Sequence, residues 1–134
     1  MSRVSPLLSL VACLLIAAGC GGAKPVTGGT SGTLHCGPHL LGDIQLTLHQ
    51  PQDSGFRAIG FGLTRADGSF DLLAQGATGP LWLAAGDYVC TLESAGAPVQ
   101  FPKEYLSPKT SPLKVRWNDE MTRLELEGPA VRLR

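Results

Sequence analysis

The chain is poor in charge, in aromatic residues and in long apolar runs. Only 16% of its residues are charged, 6% are aromatic, and its 11 basic side chains balance 11 acidic ones. Such a balance argues against nucleic acid as a partner and against electrostatic docking on anionic lipid. No apolar run reaches the roughly 20 residues that a membrane-spanning helix needs. No segment of useful length repeats apolar residues at helical spacing, which favours a small all-β domain.

The first twenty residues carry the most specific signal. Arg3 precedes an apolar run from Leu7 to Ala18, and small residues then lead to Cys20. A short apolar run that ends in small residues is typical of a secretory signal. Its last four residues, Ala17-Ala18-Gly19-Cys20, resemble a bacterial lipobox, in which the cysteine thiol receives a diacylglycerol group and becomes the new N-terminus. The resemblance implies lipidation of Cys20.

The lipobox interpretation predicts both the cellular location of the protein and its domain boundaries. Residues 1–19 form the predicted signal peptide, and the glycine-rich residues 20–31 form a flexible linker. An ordinary secretory signal, cleaved near Gly19 or Gly22 to leave a soluble protein, is the alternative. Because Gly21 rather than Asp follows Cys20, the enterobacterial sorting pattern favours the outer membrane. We therefore expect an exported cell-envelope protein whose acylated Cys20 enters the lipid bilayer.

Two cysteines remain after the signal and the acylated residue are set aside. In an oxidising envelope, Cys36 and Cys90 are a candidate disulfide. Each also sits in an apolar alternation, which is equally typical of two buried free thiols. The sequence leaves both states open.

The rest of the chain reads as short strands in which apolar and polar residues alternate. Period-two alternation places one face of a strand in a core and the other in water. Asp67-Gly68 is a hairpin signal, and the segments around residues 113 and 124 read as a final hairpin. The predicted strands are Gly32–Cys36, Asp43–His49, Ala58–Arg65, Phe70–Leu73, Tyr88–Leu92, Leu113–Trp117 and Leu124–Leu126.

One of these strands contains two glycines. In Ala58–Arg65 the alternation points Ile59, Phe61 and Leu63 inward and leaves Gly60 and Gly62 on the opposite face. Glycine weakens a strand, so the pair indicates a bulge or the close approach of another backbone.

The order of these segments resembles the carboxypeptidase-regulatory-like, or transthyretin-like, domain. The likeness extends to the small lipoproteins of planctomycete-type bacteria that carry it, which begin with Gly-Cys-Gly-Gly as Gly19–Gly22 does here. It rests on Gly32-Thr33-Leu34, Ile44–Leu48, Thr64–Phe70, Gly86–Val89 and Phe101–Tyr105. The resemblance implies an all-β fold: a seven-stranded antiparallel Greek-key β-sandwich over residues 32–128, with residues 129–134 as a C-terminal tail.

The resemblance implies little chemistry. One branch of the family hydrolyses a purine breakdown product with histidines, an arginine and a C-terminal Tyr-Arg-Gly-Ser, whereas this chain ends Val131-Arg132-Leu133-Arg134. No serine sits in a nucleophile elbow, and no catalytic residue, cofactor or metal ligand is predicted. His35, Cys36 and His39 are close in sequence, but their spacing fits no familiar zinc site. Likewise Asp67-Gly68 lacks the run of oxygen ligands that calcium takes.

Among the aromatic residues, Trp82 is the candidate contact surface. Trp117 alternates with Leu113 and Val115 on an apolar face, which favours core packing, and Tyr105 is expected at the edge of the sandwich. The sequence therefore predicts, first, a non-enzymatic lipoprotein that binds or scaffolds an unknown envelope protein. A carbohydrate- or small-ligand-binding module that uses Trp82 ranks second, and a cryptic hydrolase ranks third.

Overall fold

The structure, a computed structural model, describes residues 28–133 as a mostly β domain. Cys20, the predicted signal and most of the predicted linker lie outside these residues. Short 3₁₀ turns cover Gln75–Ala77 and Lys103–Leu106. The strands are β1 (Ser31–Cys36), β2 (Ile44–Gln52), β3 (Gly55–Leu63), β4 (Ser69–Asp71), β5 (Leu73–Ala74), β6 (Gly86–Ser94), β7 (Lys114–Trp117) and β8 (Leu124–Gly128).

The strands form two sheets with the core between them. One sheet has the order β4-β1-β8, and the other has the order β5-β3-β2-β6-β7. All pairs are antiparallel except β1 with β8, which run parallel over Gly32–Cys36 and Leu124–Gly128. The expectation of a purely antiparallel architecture is therefore wrong at this pair, and the described strands number eight rather than seven.

The chain moves between the sheets at its turns. Gly68 has a φ of 79° and donates its N–H to the Arg65 carbonyl at 2.8 Å, as expected for the predicted Asp67-Gly68 turn. The turn joins β3 of the larger sheet to β4 of the smaller one. Likewise β7 and β8 lie in different sheets, so the predicted final hairpin is wrong. A turn motif in the sequence predicts that the chain reverses its direction. It does not predict in which sheet the next strand pairs.

A β-bulge inverts part of the predicted pattern in β3. Leu48 pairs with Gly60 but His49 pairs with Ala58, so Ile59 is the extra residue on β3. One extra residue shifts the face of everything that follows it. Ile59 packs against the core as predicted, whereas Gly60 and Gly62 are buried and Leu63 is 49% exposed. The inward placement of Phe61 and Leu63 is therefore wrong.

The glycines occupy the inner face of β3 because other atoms fill that space. A Cβ built on Gly60 would lie 2.4 Å from the Leu73 carbonyl oxygen and 2.4 Å from Leu81 Cδ2. At Gly62 the nearest atom to such a Cβ is Phe70 Cδ2, at 3.1 Å. The bulge and the close approach that the two glycines predict are both confirmed.

The core is aliphatic, with a few aromatic side chains. Phe70 and the apolar face of β2 are fully buried, and Trp117 is buried with Tyr105 packed at the edge of the cluster, as predicted. The loop between β6 and β7 contributes as well. The fully buried large side chains are Leu34, Cys36, Ile44, Leu46, Leu48, Phe70, Leu72, Cys90 and Leu92.

Both ends of the predicted domain extend further than expected. Thr30 is buried, its N–H donates to the Leu81 carbonyl at 2.8 Å, and its carbonyl accepts from Leu72 N–H at 2.9 Å. Val131 is buried in the core cluster. The predicted linker end and the predicted tail are thus integrated at these two residues. No helix within the described part of the chain has the length and apolarity to cross a membrane.

Candidate functional site

The outer face of the larger sheet carries an apolar surface, which we call the outer strip: Phe56, Phe61, Leu63, Leu73 and Val89. Pairing makes Phe61 and Leu73 neighbours, and Leu63 follows Phe61 on the same face of β3. Val89 is buried opposite His49 on this face, where it lines a cavity together with Phe56. The inner face of β2 carries buried Ile44, Leu46 and Leu48, so the residues that alternate with them face away from the core.

A shallow cavity of about 380 Å³ lies at one end of the outer strip. Pro51, Phe56 and Val89 supply its apolar wall, and Lys114 with Arg116 line its charged side. Arg116 Nε donates to Asp87 Oδ1 at 3.2 Å, and both side chains are exposed. An apolar floor beside a few charged groups is a common arrangement at binding surfaces.

His49 is a half-buried titratable residue on this face. Its Nε2 lies 2.9 Å from Thr91 Oγ1, and burial lowers the pKa of the imidazole. The ring is therefore neutral near pH 7, because the ordinary histidine pKa is already about 6.5. The sequence placed His49 on the wet side of its strand; the structure keeps it on that side but half-buried among its neighbours.

The outer face of the smaller sheet is polar instead. Ser31 Oγ donates to Asp71 Oδ1 at 2.7 Å, Arg65 forms an ion pair with Asp71, and Arg123 Nη2 donates to Thr33 Oγ1 at 2.9 Å. The Ser31 hydrogen bond is the main reason why the pKa of Asp71 falls below its ordinary value. The two outer faces of the domain therefore differ: the larger sheet exposes apolar side chains among polar ones, and the smaller sheet is occupied by internal polar bonds.

Trp82, the predicted contact residue, is 67% exposed. It lies in the segment Leu81–Leu83, which forms no strand. The segment is nevertheless fixed: Leu81 N–H donates to the Leu72 carbonyl at 2.9 Å, and Leu83 N–H donates to Thr30 Oγ1 at 3.0 Å. Because Leu81 and Leu83 pack against the core, Trp82 between them points outward.

A groove of about 370 Å³ runs beside Trp82, and we call it the Trp82 groove. Its lining includes Thr30, the buried Trp117, Asp119 and the exposed Met121. The groove lies where β1 begins and β7 ends. An exposed ring with hydroxyl and carboxylate groups nearby can stack on a flat ligand or insert into an apolar layer.

Histidines and cysteines do not assemble into a site in the part of the chain that is described. His35 Nε2 lies 3.8 Å from Glu125 Oε2, and His39 takes part in an isolated bridge with Cys36. Within residues 28–133 no three His, Cys, Asp or Glu side chains lie close enough to hold a metal ion.

Cys36 and Cys90 are buried free thiols here, so the disulfide alternative is not formed. Burial raises the pKa of the Cys36 thiol and raises that of Cys90 to about 12. The thiolate, which is the reactive form, is therefore scarce at neutral pH.

Asp67 serves its own turn rather than a ligand. Its Oδ1 accepts from Ser69 Oγ at 2.6 Å and from Ser69 N–H at 3.0 Å. These bonds lower the pKa of the Asp67 carboxyl. The arrangement is a short Asx-type turn, which accounts for the residue without a bound ion.

The comparisons with known proteins give no relative: no family model, no curated protein and no solved structure matches this chain.

Proposed function

We propose that this protein is a lipid-anchored component of the cell envelope whose β domain is a non-enzymatic binding or scaffolding module. The anchoring half of the proposal rests on the sequence from Met1 to Cys20, which resembles a lipoprotein signal. The binding half rests on the domain itself. Outer-membrane delivery, suggested by Gly21, belongs to the same proposal.

One observation carries the binding half: the contrast between the two outer faces. A sheet face that meets only water normally carries polar residues, and the smaller sheet follows this rule with Ser31, Thr33 and Asp71. The outer strip presents exposed Phe56 and Leu63 instead. Exposed apolar side chains beside charged groups are typical of protein-binding sites. The proposed partner is therefore an envelope protein that covers the outer strip.

The family resemblance stays part of this proposal. The transthyretin-like domain is a seven-stranded Greek-key sandwich, and members of that family serve as accessory modules beside other proteins. The order of the motifs in the sequence supports the assignment, as does the placement of consecutive strands β1 and β2 in different sheets.

The experiment is site-specific photo-cross-linking in the native membrane. A photoreactive residue at position 63, in the outer strip, is compared with one at position 133, because Leu133 is similarly exposed (51%) but lies outside both sheets. We expect a discrete cross-linked protein from position 63 and none from position 133. Cys20→Ala, which removes the acylation site, tests whether the same product requires the anchor. Equal cross-linking from both positions, or none from either, would contradict the proposal.

A carbohydrate- or small-ligand-binding module is the second candidate, and the exposure of Trp82 favours it. A ring with Asp119 and Thr30 nearby offers stacking and hydrogen bonding together. A glycan array probed with the wild-type chain and with Trp82→Ala decides: binding that the substitution abolishes supports this candidate, and a blank array with the wild type ends it.

A further inference from the structure

We propose that Trp82 and Met121 form the surface on which the domain rests against the lipid bilayer. The inference depends on the proposed anchoring through Cys20. It adds which end of the domain faces the membrane and which side chains enter the interface.

The chain enters the domain next to Trp82. Gly28 is the first described residue, and a Cβ built on it would lie 3.6 Å from Trp82 Cζ2. The described chain therefore begins beside the indole ring. Cys20 precedes Gly28 by eight residues. Even fully extended, eight residues span at most about 29 Å.

The direction of β1 separates the Trp82 end of the domain from the opposite end. β1 runs from Ser31, beside Trp82, to Cys36 at the opposite end of the domain. The five steps from Ser31 to Cys36 advance the chain by roughly 17 Å. Leu40, another exposed apolar residue (45%), follows β1 at that opposite end. The short chain between Cys20 and Gly28 acts as a tether. It therefore gives the Trp82 end of the domain a higher effective concentration near the bilayer than the Leu40 end has.

The surface formed by Trp82 and Met121 has the chemistry of a membrane interface. Tryptophan is enriched at membrane interfaces because its ring is apolar and its indole N–H remains able to reach water. Met121 adds a flexible apolar side chain across the Trp82 groove. The nearby Asp119 and Glu120 are acidic, so attraction to anionic lipid is not the driving force. The contact is apolar and should be insensitive to salt.

This orientation has a consequence for the outer strip. With the Trp82 end on the membrane, β1 runs away from the bilayer, and the faces of both sheets point sideways. Phe61 and Leu63, towards the other end of the outer strip, then stay free for a partner that stands beside the protein in the same membrane.

Depth-dependent fluorescence quenching tests the inference in the full acylated chain. The chain is reconstituted into phosphatidylcholine vesicles whose acyl chains carry bromine at defined depths. Because the sequence holds two tryptophans, Trp117→Phe isolates Trp82 and Trp82→Phe isolates Trp117. The matched control for the opposite end is Leu40→Trp in the Trp82→Phe background. If Trp117→Phe fails to fold, the difference between the wild type and Trp82→Phe gives the Trp82 signal instead.

We expect Trp82 to lose fluorescence to shallow bromines and its emission to shift to shorter wavelength, at low and at high salt. Trp117 and the tryptophan at position 40 should keep their emission. Vesicle flotation and the acyl mass of the N-terminal peptide report the anchor separately, so their failure overturns the proposed anchoring.

Three results overturn the membrane contact itself. The first is a chain that floats with the vesicles while Trp82 is quenched no more than the tryptophan at position 40. The second is a Trp82 emission shift produced by an envelope polysaccharide without vesicles, which would assign the groove to carbohydrate. The third is a shift that depends on protein concentration without vesicles, which would assign it to a second copy of this chain.

Discussion

The inner position of Gly60 makes a sharp prediction about stability. A methyl group added by Gly60→Ala would meet the Leu73 carbonyl oxygen and Leu81 Cδ2, both at 2.4 Å. Ordinary contacts between carbon atoms lie near 3.5–4.0 Å, so the Leu81 methyl must retreat by about 1 Å. The carbonyl belongs to β5, which pairs with β3 at only two positions. Displacing β5 is therefore the expected response, and overpacking of this kind costs about 1–3 kcal/mol.

Gly62→Ala is the matched control. Its added methyl would lie 3.1 Å from Phe70 Cδ2, so the ring needs to shift by only a few tenths of an ångström. Both substitutions restrict the unfolded chain equally, which stabilises each variant by about 0.4–1 kcal/mol. We therefore expect Gly60→Ala to lower the free energy of unfolding by about 1–2 kcal/mol more than Gly62→Ala does.

Equilibrium urea unfolding followed by circular dichroism measures this difference, provided that the denaturant dependence stays that of the wild type. If the glycines faced solvent, as alternation alone indicates, both variants would match or exceed the wild type. That result would refute the bulge and the position of the outer strip with it.

Three further predictions are tested by the same unfolding assay or by maleimide labelling of the cysteine thiols. Phe70→Ala removes a fully buried ring and should cost about 3–5 kcal/mol, whereas Leu63→Ala on the outer strip should stay within about 0.5 kcal/mol; equal losses would place Leu63 in the core. Asp71→Asn should cost about 1 kcal/mol or less at pH 7, because hydrogen bonds to the carboxylate hold its pKa below the ordinary value while solvent screens this partly exposed site. That stability is complete above the unfolded pKa of about 3.9 and is lost as pH falls through the lower folded pKa, so the two chains should converge in acid; a gap that is constant with pH would contradict it. Cys36 and Cys90 should resist a maleimide reagent at pH 7 until the chain unfolds, and rapid labelling of the native protein would show that they are accessible.

Much of the local structure follows from alternation in the sequence. Ile44, Leu46 and Leu48 are buried as predicted, and so is Trp117. These predictions succeed because a strand with one apolar face has only one way to bury it. The turn at Asp67-Gly68 is equally local, since the glycine and the aspartate make its bonds within a few residues.

The sequence-based predictions fail where the placement of a residue depends on a pairing partner that is distant in the chain. Phe61 and Leu63 follow the same alternation as β2, but the bulge at Ile59 turns them outward. The glycines were the one sign of this, because a residue without a side chain fits where Leu73 and Leu81 approach closely. Similarly, no local signal states that β8 pairs with β1 rather than with β7.

The candidate sites divide in the same way. The sequence singled out Trp82, and its exposure follows from its place between two core residues. The outer strip could not be predicted, because its members come from β3, β5 and β6 and share a face only after the strands pair.

The sequence by itself determines the all-β character, the Asp67-Gly68 turn and most of the core, and it predicts the signal that ends at Cys20. Each of these depends on the order of neighbouring residues, which acts over one strand or one turn. The tertiary structure alone decides the parallel pairing of β1 with β8, the inverted face of β3 and the placement of Gly28 beside Trp82. Those features depend on contacts between residues far apart in the chain, and steric fit, not local preference, selects among them.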